Sequence, residues 1–249
     1  MQWIMHRQRS LAAVFLLLLL LSQIPARLLT WVLPPSVTLT GLTGTLWSGD
    51  AARGWVIVEG KPLLLGRVSW QIQPWRALWS TPVMLQSEWS NQQLQTRVGL
   101  GLTGDWLLTD TRLQFDTRVL GQFFPLYLGG TVSGQFATLE FSKNHVARAQ
   151  GVIKVQDAVW TARSGNIPLG TYRLTVSPLS EAAGAISAAL QTEQGALQLE
   201  GDVTVSPQSY EVALRATGPT ARDESFRRAV AMLATPTAEG FDVLVQGQL

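Results

Sequence analysis

The chain has 249 residues and no cysteine, with 19 Lys and Arg against 17 Asp and Glu. This composition excludes a disulfide framework and thiolate chemistry, and the length supplies one β domain of roughly 200 residues or two smaller ones. Two of the 19 basic residues, Arg7 and Arg9, precede an apolar run, leaving 17 basic against 17 acidic side chains in the remainder. Only Arg227 and Arg228 are adjacent there, so no basic face for nucleic acid is expected.

The apolar run comes first in chain order. Leu11 to Leu21 carries no polar side chain, and apolar character continues through Ile24, Leu28, Leu29, Trp31, Val32 and Leu33. Taken as a helix to Leu33, the segment is about 34 Å long, enough for a hydrocarbon core of about 30 Å, with Arg27 snorkelling and Trp31 at the far interface. Arg7 and Arg9 lie before it and the first acid after it is Asp50, so the positive-inside bias puts the N-terminus in the cytoplasm. The expectation is a single-pass inner-membrane protein: residues 1–10 cytoplasmic, 11–33 the transmembrane anchor, 34–249 a periplasmic β-rich domain. The alternative is a cleaved signal peptide. It is disfavoured because the cleavage-site candidate Ala26 has Ile24 and Pro25 before it, where small residues are wanted.

After Pro34-Pro35 the strand signals begin. Gly41-Leu-Thr-Gly44-Thr-Leu-Trp47-Ser-Gly49-Asp50 and Gly54-Trp55-Val-Ile-Val-Glu-Gly60 predict short strands at Thr45 to Trp47 and Trp55 to Glu59, separated by glycine turns and bulges. The frame returns at Gly130-Thr-Val-Ser-Gly134, and Gly151-Val-Ile-Lys-Val and Gly201-Asp-Val-Thr-Val read as strand openings. Further strands are expected at Leu63 to Ile72, Val83 to Trp89, Gln93 to Leu100, Trp106 to Thr117 and Phe241 to Val245. Pro74 to Trp79 and Leu120 to Phe124 suit a turn or two of helix. The one good helix runs from Thr220 to Ala234, with a capping box at Thr220 and Asp223, an apolar stripe of Phe226, Val230 and Leu233, and a stop at Pro236. It is expected to cover one opening of the β core.

Chemistry-bearing motifs are scarce. Gly99-Leu-Gly101-Leu-Thr-Gly104 has the letters of a dinucleotide fingerprint, but an alternating strand pattern follows it where a helix is required, so it reads as a hairpin turn. His145 is the one histidine beyond the N-terminal segment, and no nucleophile elbow or ligand pair accompanies it. No catalytic, cofactor-binding or metal-binding residue is assigned, and the chain is read as a non-enzyme. Tryptophan is enriched early, with Trp47, Trp55, Trp70, Trp75, Trp79 and Trp89 within about forty residues. Trp47 is expected in the core, with a docking rim as the alternative; Trp75 and Trp79, on a Pro-started turn, suit an exposed rim. Those three are the candidate partner- or membrane-contact residues.

Together, the basic N-terminus, the single apolar segment, the Gly-Thr-Leu-Trp47-Ser-Gly stretch, Val68-Ser-Trp70-Gln-Ile-Gln-Pro74 with Leu78-Trp79, and the C-terminal Gly240-Phe-Asp-Val-Leu-Val-Gln-Gly-Gln-Leu resemble the protein N family of the bacterial type II secretion system. The resemblance implies a Gram-negative inner-membrane, mainly periplasmic accessory component of the machine that exports folded proteins across the outer membrane. It implies other secretion subunits as partners and no catalytic residues. A fainter similarity to AsmA-like proteins implies a curved, mostly antiparallel sheet with an apolar groove for lipid. The fold class expected is mainly β, with one transmembrane helix in front and one helix near the C-terminus. The competing function is a periplasmic lipid-binding or lipid-transfer module.

Overall fold

The computed structural model describes residues 16, 19–31, 33–58, 60–78, 81–100, 104–122, 128–142, 145–162, 165–179, 184–231 and 234–248. The protein is mainly β and antiparallel, with few helices. It divides into two compact units, residues 1–89 and 90–249.

The first unit holds β1 (Val37–Gly44), β2 (Ser48–Val58), β3 (Lys61–Ile72) and β4 (Val83–Trp89), each antiparallel to the one before. One face carries the core: Ala51 and Val68 are fully or nearly buried, Trp70 lies beside them, and Leu39, Leu42, Leu65, Ile72 and Leu85 pack around. The cover over this face is the 3-10 helix Ala26–Trp31, whose Ala26 is only 2% exposed against Ala51 and Trp70. Such close approach requires small residues on both sides. Gly49 serves the same end, because a Cβ there would meet the Trp70 ring at 2.6 Å.

The expected helix to Leu33 is not what these residues form. Leu19–Ser22 are helical, Gln23 turns, and the chain continues as the 3-10 helix with Ala26 in the protein core. Pro25 lacks the amide that would continue an α-helical ladder, and Ala26 and Leu29 beyond it pack into the β unit instead. Among the described residues no helix is long and apolar enough to cross a membrane; most of Leu11 to Leu18 lies outside them.

The second unit holds β5 (Gln92–Leu100), β6 (Trp106–Asp116), β7 (Leu128–Ser142), β8 (His145–Ala162), β9 (Gly165–Pro178), β10 (Ile186–Gly195), β11 (Gln198–Val205), β12 (Ser209–Thr217), β13 (Ala234–Pro236) and β14 (Gly240–Gln248). Neighbours pair in sequence order until β12, which pairs with β14, leaving β13 on the outside. Register gives this sheet two unlike faces. Leu94, Leu113, Ile153, Leu174, Leu190, Leu214 and Val243 stand in one line across the strands, with Gly134 and Gly201 between them. One residue away, on the opposite face, the line reads Gln93, Gln114, Ser133, Lys154, Arg173, Gln191, Glu200, Arg215 and Asp242. Strand alternation of period two separates the two lines.

The excursion between β12 and β14 covers part of the apolar face. Its covering part is a 3-10 turn, Thr220–Arg222, and a short helix, Glu224–Val230, ahead of β13. Phe226 meets Trp160 edge-on at 5.3 Å between ring centroids and Phe241 at 6.0 Å. Ala221 and Ala216, both fully buried, let the turn approach the sheet. The expected cover is therefore present, but its cap differs. Asp223, not Thr220, is the N-cap: its carboxylate accepts from the Phe226 amide at 3.0 Å, and Thr220 donates to the Pro168 carbonyl at 3.4 Å. The turn at Thr220–Arg222 puts Thr220 one turn too early to cap. Of the apolar stripe, Phe226 and Val230 reach the core, and Leu233 lies outside the described residues.

Two strand assignments also change. Thr45 to Trp47 is the turn between β1 and β2, not a strand. Gly151 and Gly201 sit inside β8 and β11 rather than opening them. In both cases the glycines were read as punctuation, whereas here they are strand positions where the neighbouring strand approaches closely: a Cβ at Gly151 would meet the Gln135 carbonyl at 2.4 Å and one at Gly201 the Ala213 carbonyl at 2.1 Å.

Candidate functional site

The Thr45–Trp47 turn is bonded both to its own strands and to the segment that precedes β1. Its ends close locally, with the Thr45 amide donating to the Ser48 carbonyl at 2.8 Å. Its middle bonds outward. The Leu46 amide donates to the Ile24 carbonyl at 2.8 Å, Thr45 bridges Pro25, and the Trp47 indole Nε1 donates to the Leu21 carbonyl at 2.7 Å. From the other side, the Trp70 indole donates to the Leu46 carbonyl at 3.1 Å and the Ile72 amide to the Trp47 carbonyl at 2.6 Å.

These bonds finish a helix end. The last carbonyls of a helix lack intrahelical partners and need others. Here Leu19 receives the Ser22 hydroxyl at 2.8 Å, Leu20 the Gln23 amide at 3.2 Å, and Leu21 both the Ile24 amide at 3.4 Å and the Trp47 indole. Meanwhile Leu16, Leu19, Leu20 and Leu21 are exposed. A helix end of exposed leucines is thus joined to the β unit by backbone pairing within three residues.

Trp47 is consequently half-buried and acts through its N–H; the core tryptophan of this unit is Trp70, 6% exposed. Trp75 is on the 3-10 turn Pro74–Leu78 and is 65% exposed. Trp79 lies outside the described residues. The register brings the first two to one end of the unit: Gly44 pairs Gly49, Gly49 pairs Trp70, and Ile72 pairs Val83, so the β1–β2 turn and the β3–β4 connection share that end. Sequence reasoning found the aromatic residues but missed the Leu21 carbonyl and the Ile24–Leu46 pair, which have no local signal.

In the second unit several ionisable groups are tied into pairs on the polar face. Glu193 is held below the usual carboxylate range by hydrogen bonds from Lys154 and Arg173, and Asp116 by that from Arg118. On the apolar side, burial pushes the Tyr172 phenol up to about 12, and its hydroxyl donates to the Leu197 carbonyl at 2.9 Å. A cavity of about 350 Å³ lies beside the short helix, lined by Glu224, Arg227, Arg228, Val230, Ala234 and Phe241 among others. Among the described residues no group of three or more His, Asp and Glu is placed to hold a metal. Gly99 and Leu100 end β5 and Trp106 begins β6, with Leu100 paired to Trp106, so a hairpin stands where a dinucleotide site would need a helix. His145 begins β8, paired to Ser142.

Residues 35–244 match the family described as Type II secretion system (T2SS), protein N. A protein of Klebsiella pneumoniae named Type II secretion system protein N is 30% identical over 208 residues, covering 79% of this chain and 76% of its own length. No solved structure is matched.

Proposed function

The chain belongs to the type II secretion system protein N family, and from that premise we propose that it is a single-pass inner-membrane accessory subunit of the secretion machine. In this reading the N-terminus is cytoplasmic, the β-rich body is periplasmic, and the protein takes part in exporting folded proteins across the outer membrane by binding other subunits rather than by catalysis. The observation that carries it is the family match across residues 35–244. The exposed Leu19–Leu21 helix end, fixed to the β unit by the Thr45–Trp47 turn, adds support for the membrane part. The test is co-purification of the full chain from membranes solubilised in mild detergent. Recovery of other type II secretion subunits is expected, and recovery of none would count decisively against the proposal.

A second reading, a lipid-binding or lipid-transfer module, is favoured by one observation. The apolar line from Leu94 to Val243 crosses the sheet of the second unit, and among its members Leu94, Leu113, Ile153, Leu174, Leu214 and Val243 are only half-buried. A phospholipid with a photoreactive acyl chain should then cross-link to peptides carrying Ile153 or Leu174 in the full chain. Labelling confined to the N-terminal segment would remove this reading.

A further inference from the structure

The end of the first unit that carries the β1–β2 turn differs from its other end in three ways. The apolar helix terminates against it, an exposed tryptophan projects from it, and it carries no acid: none lies between Leu16 and Gly49 or between Gln71 and Val83. We propose that this end, made by the Thr45–Trp47 turn and the 3-10 turn Pro74–Leu78, rests on the bilayer surface, with Trp75 at the level of the lipid headgroups. The inference builds on the membrane-anchor reading above and adds which surface of the β unit the bilayer meets.

Distance carries the argument. Leu21 is the last helical leucine and Ile24 is already paired to Leu46. Three residues span at most about 10 Å when extended, and the bond from the Ile24 amide to the Leu21 carbonyl folds this link shorter than that, while the headgroup layer on each side of the hydrocarbon core is about 5 to 8 Å thick. With the leucines immersed, the turn has no slack by which to leave that layer. The Trp47 indole bond to Leu21 and the Trp70 bond to Leu46 hold the joint from both sides.

Chemistry agrees with distance. Tryptophan is enriched at membrane–water interfaces because its ring is apolar and its N–H polar, and Trp75 is 65% exposed on a turn opened by Pro74. The acid next to the turn, Asp50, is paired with Arg67 at 3.4 Å, so the end suits anionic lipid headgroups. The opposite end, the β2–β3 turn near Ile57, stands about 30 Å away along the strands.

The chain has no cysteine, so single labels are simple to place. Trp75→Cys, Ile57→Cys and Leu20→Cys each receive a nitroxide, in the full chain reconstituted into nanodiscs of phosphatidylethanolamine and phosphatidylglycerol doped with a lipid whose headgroup chelates nickel. Protease resistance matching the unlabelled protein verifies folding. The expected result is strong relaxation of the nitroxide at 75 by the headgroup nickel, none at 57, and an oxygen-accessible, lipid-immersed label at 20. Insertion of Gly-Ser-Gly-Ser between Gln23 and Ile24 should abolish most of the relaxation at 75. Equal absence of relaxation at 75 and 57, with the label at 20 immersed, would overturn the surface assignment while leaving the anchor in place. A label at 20 that is water-accessible would overturn the anchor and the surface together.

Discussion

The two units solve the same problem with covers of different origin. Each is an antiparallel sheet with one apolar face, and each lays a short helical segment over that face through buried alanines: Ala26 on Ala51 in the first, Ala221 beside Ala216 in the second. In the second unit the cover comes from inside, between β12 and β14, so strand pairing on both sides fixes it. The first unit takes its cover from the stretch that directly follows the apolar N-terminal run. Its packing is therefore coupled to whatever holds that run, and the second unit's is not.

The largest effect that would sharpen this contrast is at Phe226, buried between Trp160 and Phe241. Phe226→Ala should cost about 3 to 5 kcal/mol, read as a lower urea midpoint, with loss of hydrogen-exchange protection in β8, β9, β12 and β14 and unchanged protection in β1 to β3. Loss in both units together would show that they are not independent. Next in size is Ala26→Leu, which overfills the site against Ala51 and Trp70 and should cost about 1 to 3 kcal/mol. Its loss of protection should fall on β2 and β3 alone; an unchanged melt would mean that the N-terminal cover does not support the first unit.

A smaller effect is expected at the joint itself. Trp47→Phe keeps the ring and removes the N–H that caps Leu21, a change of about 0.5 to 1.5 kcal/mol. The Ile24 amide still reaches the Leu21 carbonyl, which limits the loss. A cost of the size given for Phe226 would place Trp47 in the core after all.

Smallest is the acid response of the second unit's cover. Hydrogen bonds from the Ser225 hydroxyl and then the Phe226 amide hold Asp223 below its ordinary value of 3.8. Because the folded value is the lower one, its contribution is complete above that ordinary value and is lost as pH falls below it through the depressed one. Asp223→Asn keeps an acceptor for the amide and should flatten the acid limb of the helix's melting profile below the ordinary value of 3.8. An unaltered profile would assign acid sensitivity to other carboxylates.

What the sequence made legible follows from periodicity. The strands Val83–Trp89, Trp106 onward and Phe241 onward were readable because alternation and flanking turns are local, and so was the existence of a helix after Thr220. The turn at Thr45–Trp47 was misread because three β-prone residues between glycines look like a strand, while their geometry is set by contacts to Leu21 and Ile24, more than twenty positions earlier. The two-faced sheet was equally hidden: Leu94, Ile153 and Val243 align through register across nine strands, β5 to β12 and β14, and bulges such as that at Asp157 reset the alternation midway along a strand. Trp70 rather than Trp47 fills the core because Gly49 leaves room for its ring, a close approach that no single-strand pattern reveals.

The first unit depends on the N-terminal segment staying attached, since Ala26 is part of its core and Leu21 to Pro25 pair with its turn. Cleavage after Ala26 would strip both the segment that pairs with the turn and that buried alanine. Intact-mass measurement and N-terminal sequencing of the protein purified from membranes test this directly. The mature chain should begin at or near Met1, and a mature chain beginning near residue 27 would contradict the account.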